Sequence, residues 1–172
     1  MASIIVVFLT VGFLAALAVV ALNYTPWWLP HAETAQRLTQ AGLATLEQAY
    51  ELKSTAAGAA PAPLALADGG LSSLFSAYYG FTPKPAAGMA WSYGHQSAAG
   101  QFQGADYICL SGTGVGFGEA EGVLRVANTL GTGQAIISTT CGATNPSFAG
   151  SATAYPAKVA LTYYVQWVPG VQ

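Results

Sequence analysis

Five Lys and Arg against seven Asp and Glu leave this 172-residue chain 7% charged, with a net charge of −2 and a hydrophobic share of 53%. So few cations cannot neutralise a run of phosphates, which argues against a nucleic-acid partner, and so apolar a composition excludes wholesale disorder. The length suits one domain with a short extra segment, and no repeat or sustained heptad points to a solenoid or coiled coil.

Residues 4–22 read IIVVFLTVGFLAALAVVAL, without a charge and with Thr10 as the one polar side chain. A helix over this run rises about 28 Å, close to the thickness of a bilayer's hydrocarbon core. This predicts a transmembrane anchor over residues 1–23, running from Ile4 through Val11 and Gly12 to Leu22. The run is longer than a signal peptide's apolar core, and no Lys or Arg precedes it. Tyr24, Trp27 and Trp28 follow directly and fit the aromatic belt at a membrane–water interface. Pro26 and Pro30 end or kink the helix there. The absence of cations next to the span permits export of the remainder. Residues 24–172 are therefore expected outside the cytoplasmic membrane, as one exported domain.

Pro30 to Lys53 reads as a helix. Proline suits its first turn, and Ala35, Leu38, Gly42, Leu46, Ala49 and Tyr50 form one narrow apolar stripe rich in small residues. The expected partner of that stripe is the domain's own sheet. Residues 54–70, STAAGAAPAPLALADGG, read as a long Ala/Pro/Gly loop, and Leu71 to Tyr79 as a short helix. Turn-rich punctuation follows over residues 80–85. Met89 to Tyr93 and Asp106 to Ser111 look like strands bounded by Gly and Ser. Glu119 to Leu130 has helical spacing between Gly118 and Gly131. Gln134 to Thr140 is β-rich, and Asn145 to Gly150 reads as a loop. In Lys158 to Val168 the alternation of Val159, Leu161, Tyr163, Val165 and Trp167 with smaller or polar residues marks the clearest strand. The expected fold is α+β: an N-terminal transmembrane helix, then an amphipathic helix and a smaller one covering an antiparallel or mixed sheet of about four strands.

Candidate chemistry is sparse. Gly112-Thr-Gly-Val-Gly-Phe-Gly118 lies between a strand and a helix, where glycine-rich loops cradle phosphates. A dinucleotide fingerprint, however, needs a small residue where Phe117 stands, and an acid about twenty positions on. There is no Lys-Ser/Thr for a P-loop, and Glu119 and Glu121 open the helix with the wrong charge for an anion. His95 sits in SYGHQS, read as an exposed loop, with no G-x-S-x-G elbow in the chain. Asp68 and Asp106 have no distinguishing context. The glutamates fall on solvent-facing helical positions, unlike the convergent carboxylate pair of a glycosidase. His31 and His95 are far apart and without ligand spacing, so no metal site or cofactor is expected. Cys109 and Cys141 end two apolar runs. They either pair in an oxidising compartment or stay as two buried thiols. The reading is of a chain without catalytic machinery. Tyr78, Tyr79, Phe81, Trp91 and Tyr93, with Pro83 and Pro85, make an aromatic middle that supplies core and, where exposed, a protein contact.

This layout resembles proteins of bacterial type IV pilus systems. QRLTQAGLATLEQAYELK after the apolar run, GFTPKPAAGMAWSYG, ADYICLSGTG and EGVLRVANTLGTGQAIIS resemble the type IVb pilus biogenesis family of PilM type, small inner-membrane proteins that serve a basal body. An uncharged N-terminal helix and a late cysteine pair also resemble pilins, which polymerise through that helix. This chain departs from pilins in carrying Ile5 where they carry glutamate, and it has no leader ending in glycine. The resemblance implies a non-enzymatic pilus or envelope component with a Cys109–Cys141 disulfide. Its expected partners are the membrane and other pilus proteins or copies of itself, with no nucleic acid and no small-molecule substrate.

Overall fold

The computed structural model describes residues 2–24, 26–57, 82–97, 100–131, 133–147 and 155–165, and within the first helix the side chains of 6–20. Three helices and four strands follow in chain order among these residues: α1 (Ala2–Tyr24), α2 (Leu29–Ala57), β1 (Met89–His95), β2 (Asp106–Thr113), α3 (Phe117–Leu130), β3 (Ala135–Ser138) and β4 (Lys158–Tyr164). Most of the expected 54–70 loop, the 71–79 helix with Tyr78 and Tyr79, Phe81 and the last residues of the final strand, including Trp167, lie outside the described residues.

The sheet has the order β1-β2-β4-β3, and every pairing is antiparallel. This decides between the antiparallel and mixed alternatives. Strand alternation divides its side chains between two faces. Trp91, Tyr93, Ile108, Leu110, Leu161, Tyr163 and Ile137 join the buried cluster that includes Leu43, Leu46 and Ala49 of α2 and Val123 and Val126 of α3. Tyr164 and Ile136 face the other way, where Phe102 and Ala105 of the β1–β2 connection cover them. Phe102 stacks on Tyr164 with ring centres 3.9 Å apart.

The helices end where local chemistry lets them. Leu29 donates its N–H to the Pro26 carbonyl at 2.9 Å, closing the turn that separates α1 from α2. Helix α2 continues past Lys53 through Ser54, Thr55 and two alanines, where a loop was expected. Alanine has the highest helix propensity, and the Ser54 hydroxyl bonds back to the Glu51 carbonyl at 3.0 Å. Helix α3 stops at Gly131, whose φ of 82° no β-carbon tolerates well.

The small-residue stripe of α2 receives more than the sheet. Gly118 and Gly122, one turn apart on α3, lie against α2. A Cβ at Gly118 would stand 2.6 Å from the His31 Cβ, and one at Gly122 would stand 2.8 Å from the Ala35 Cβ and press on the Ala32 carbonyl. Further along, the Trp91 indole lies on Gly42, with Cε2 3.0 Å from where a Cβ would be. Thr39 rather than Leu38 occupies the fully buried position between them.

The expected transmembrane helix is corrected by this structure. Among the described residues no helix is long and apolar enough to cross a membrane. Val11 is exposed, and a Cβ on Gly12 would meet nothing within 4 Å. The side chains of Ile4, Leu22 and Tyr24, also assigned to the anchor and its belt, lie outside the described set.

Candidate functional site

Two features of the structure have functional content: the exposed helix α1 with its base, and a buried polar cluster beneath the second half of α2.

Every described side chain of α1 is exposed, among them Phe8 at 75%, Leu9, Phe13 and Leu14. Among the described residues the helix touches no other element. The one hydroxyl among its described side chains, Thr10, is satisfied within the helix by the Val6 and Val7 carbonyls at 3.0 and 2.9 Å. Apolar residues surround α1 on all sides, a pattern of helices that are buried. At the base of α1 the two tryptophans part company. Trp27 projects outward and is 76% exposed. Trp28 docks on the domain, edge-on to Phe117 at 5.2 Å and under the Arg125 guanidinium at 5.8 Å. Trp28 thus packs the chain just after α1 against α3.

The polar cluster joins residues far apart in sequence. Asp106 opens β2 directly opposite His95 at the end of β1. Its side chain is almost wholly buried, and the His95 Nδ1 lies 2.8 Å from Oδ1. A carboxylate only accepts, so the imidazole carries its proton on Nδ1. The Tyr50 hydroxyl donates to Oδ2 at 2.7 Å. Tyr93 joins the same group, its ring centre 5.8 Å from that of Tyr50. His95 is thus a half-exposed strand residue oriented by a buried acid, not the free loop residue expected. Among the described residues no hydroxyl or thiol nucleophile is bonded to it. Ser92, on the same strand, faces the Cys109 carbonyl at 3.4 Å and the Cys141 sulfur at 3.8 Å.

Two further tyrosine–carboxylate bonds repeat the arrangement. The Tyr163 hydroxyl donates to Glu47 at 2.7 Å and accepts from the Gln134 amide at 2.7 Å. Tyr155 donates to Glu121, which also holds Arg125 at 3.1 Å. A buried carboxylate without donors would be costly, and each phenol supplies one without adding charge. Chemically these clusters fasten α2, α3 and the sheet together. Burial first, and the adjoining carboxylate second, push the hydroxyls of Tyr50, Tyr155 and Tyr163 well above the usual phenol range. Burial and the charge of Asp106 do the same to Tyr93.

A pH dependence follows. The folded state favours the neutral phenol, so this stabilisation is complete below the ordinary tyrosine value of about 10. It is lost as pH rises beyond that, because the unfolded chain ionises first. The thermal midpoint is expected to hold steady from about pH 7 to 9 and to fall steeply above about pH 10. Phenolate absorbance at alkaline pH should appear together with loss of circular dichroism. Ionisation of these phenols in a still-folded chain would contradict the account.

The glycine-rich segment serves packing. Gly112 ends β2 against the Gly88 carbonyl, Gly114 turns with φ 68°, and Gly118 admits α2. The cysteines form a disulfide, Cys109 to Cys141, with Cα atoms 5.8 Å apart. It ties the segment after β3 to the outer face of β2. There the Tyr164 hydroxyl donates to the Ala143 carbonyl at 3.0 Å and the Gly142 N–H donates to the Thr162 hydroxyl at 3.1 Å. Among the described residues no group of three His, Cys, Asp or Glu converges as a metal site. Comparison with family models, with curated proteins and with solved structures finds no match.

Proposed function

We propose that this chain is a non-enzymatic, exported component of a pilus-like bacterial envelope assembly, built in by packing α1 among other apolar helices. One observation carries the reading: over residues 6–20 α1 is apolar all round, exposed, and among the described residues in contact with no other helix or strand. Burying such side chains is worth about 1.5–3 kcal/mol each, and a domain groove would cover only one side of the helix. Several helices around it cover all sides. The disulfide supports a place outside the reducing cytoplasm. The resemblance in layout to type IV pilus proteins, and to pilins in particular, supports the kind of assembly. The low surface charge lets subunits approach with little mutual repulsion.

The test uses the full chain, purified in detergent and then freed of it. The wild type is expected to become sedimentable, and Phe13→Lys to weaken self-association more than tenfold, because one buried ring is replaced by a charge. The two proteins should unfold at the same temperature, since Phe13 is exposed and α1 touches no other described element. In cells the chain should appear in filaments released by shearing. A wild-type chain that stays monomeric without detergent would overturn the reading.

A further inference from the structure

Over residues 6–20 helix α1 supplies attraction but no free polar group to fix a register. Apolar burial is non-directional, and helix bundles fix their axial alignment with polar or charged side chains at the interface. Residues 6–20 contain no ionisable group, and the Thr10 hydroxyl is already satisfied within the helix. Charged groups that can align neighbouring copies lie on the domain surface where α1 leaves it. That surface has a groove of about 380 Å³. Its apolar floor includes Pro30, Leu38 and Pro85, and its rim carries Lys84 and the His31–Glu119 pair at 3.2 Å. Pro30 lies only six positions beyond Tyr24, so the groove continues the surface of α1.

The exposed charges there are unused. Among the described residues the ion pairs are His31–Glu119, His95–Asp106 and Arg125–Glu121. Lys84 on the groove and Glu33 on the first turns of α2 are both exposed, and among the described residues neither forms an ion pair. Arg37, one helical turn beyond Glu33, does not close on it either. A cation over an apolar floor, with an unpaired acid on the same end of the molecule, is self-complementary.

We propose that this groove seats a second copy of the chain, with Lys84 of one copy paired to Glu33 of its neighbour. This contact sets the axial register that α1 leaves open. It rests on the reading of α1 as the assembly helix, and the experiment separates the two.

Full-length Lys84→Glu, Glu33→Lys and the double reversal are assembled beside the wild type. Sedimentation measures assembly, and electron microscopy measures subunit spacing. Each single reversal replaces an attraction with a repulsion, about a tenfold loss in the contact, while leaving α1 intact. The expected result is sedimentable material without regular spacing for each single variant, and regular spacing regained in the double variant. Carbodiimide coupling of mixed isotopically labelled wild-type copies should join residue 84 of one copy to residue 33 of another. Single variants with wild-type spacing, no rescue in the double, or coupling only within one copy would overturn the register contact while α1-driven assembly stands. A wild type that never sediments overturns both.

Discussion

Removing the Cys109–Cys141 bridge, by reduction or by replacing both cysteines with alanine, is expected to cost the domain about 3–4 kcal/mol. The bond spans 32 positions, and cross-linking a loop of that size removes about this much unfolded-state freedom on the chain-entropy model. The segment it restrains, residues 139–147, has no helix or strand of its own. Beyond the bridge it is held by the bonds from Tyr164, Thr162 and Gln96 to residues 142–143. Those bonds lie over the face where Phe102 stacks on Tyr164, so release of the segment also wets an aromatic layer. Thermal unfolding with and without a dithiol reductant measures the loss. Equal midpoints for the oxidised and reduced chains would contradict this account. Free thiols in the protein as isolated from an oxidising compartment would contradict the bridge itself.

Gly122→Val is expected to destabilise by about 3 kcal/mol, near the upper end for overpacking. The new side chain would enter the contact of α3 with α2, against the Ala32 carbonyl, with the Ala35 Cβ at 2.8 Å and the Gln36 nitrogen at 2.9 Å. Two of these three neighbours are backbone and cannot turn aside, so the helices must separate. Separation also strains Trp28 on Phe117 and the Tyr155–Glu121 bond, both of which depend on where α3 lies. Gly12→Val, on exposed α1, serves as the control, since a Cβ there meets nothing. Denaturant unfolding of both variants checks the contrast, and a Gly122→Val midpoint equal to that of the wild type would rule out the close helix contact.

Much of the fold was legible because its signals are local. Helix α3 and strands β1, β2 and β4 fall within a few residues of their expected bounds, since the 3.6 and 2.0 periods are written in neighbouring residues. The end of α2 was not. Residues 54–57 share an Ala-rich texture with the segment beyond them, and composition alone does not mark where a helix stops. The glycine-rich segment was readable as a strand-to-helix connection from its place between two periodic runs. Its real task, bringing α3 against α2 and β2 against the Gly88 carbonyl, needed the third dimension. His95 and Asp106 looked contextless because they are 11 positions apart and Tyr50 lies another 56 from Asp106. Only the antiparallel register of β1 on β2, with α2 laid across, brings the three together.

The low charge with which the sequence begins now has a distribution. Sequence by itself determined that α1 is uncharged and that the domain is α+β, because these follow from composition and local period. Tertiary structure decided where the remaining charge goes. Asp106, Glu47 and Glu121 are each held by a tyrosine hydroxyl, and Glu119 by His31. A buried carboxylate is tolerated only where donors converge on it, and such convergence depends on packing distant segments together. The same packing turned the small faces of α2 and α3 toward each other, while among the described residues α1 touches no other element.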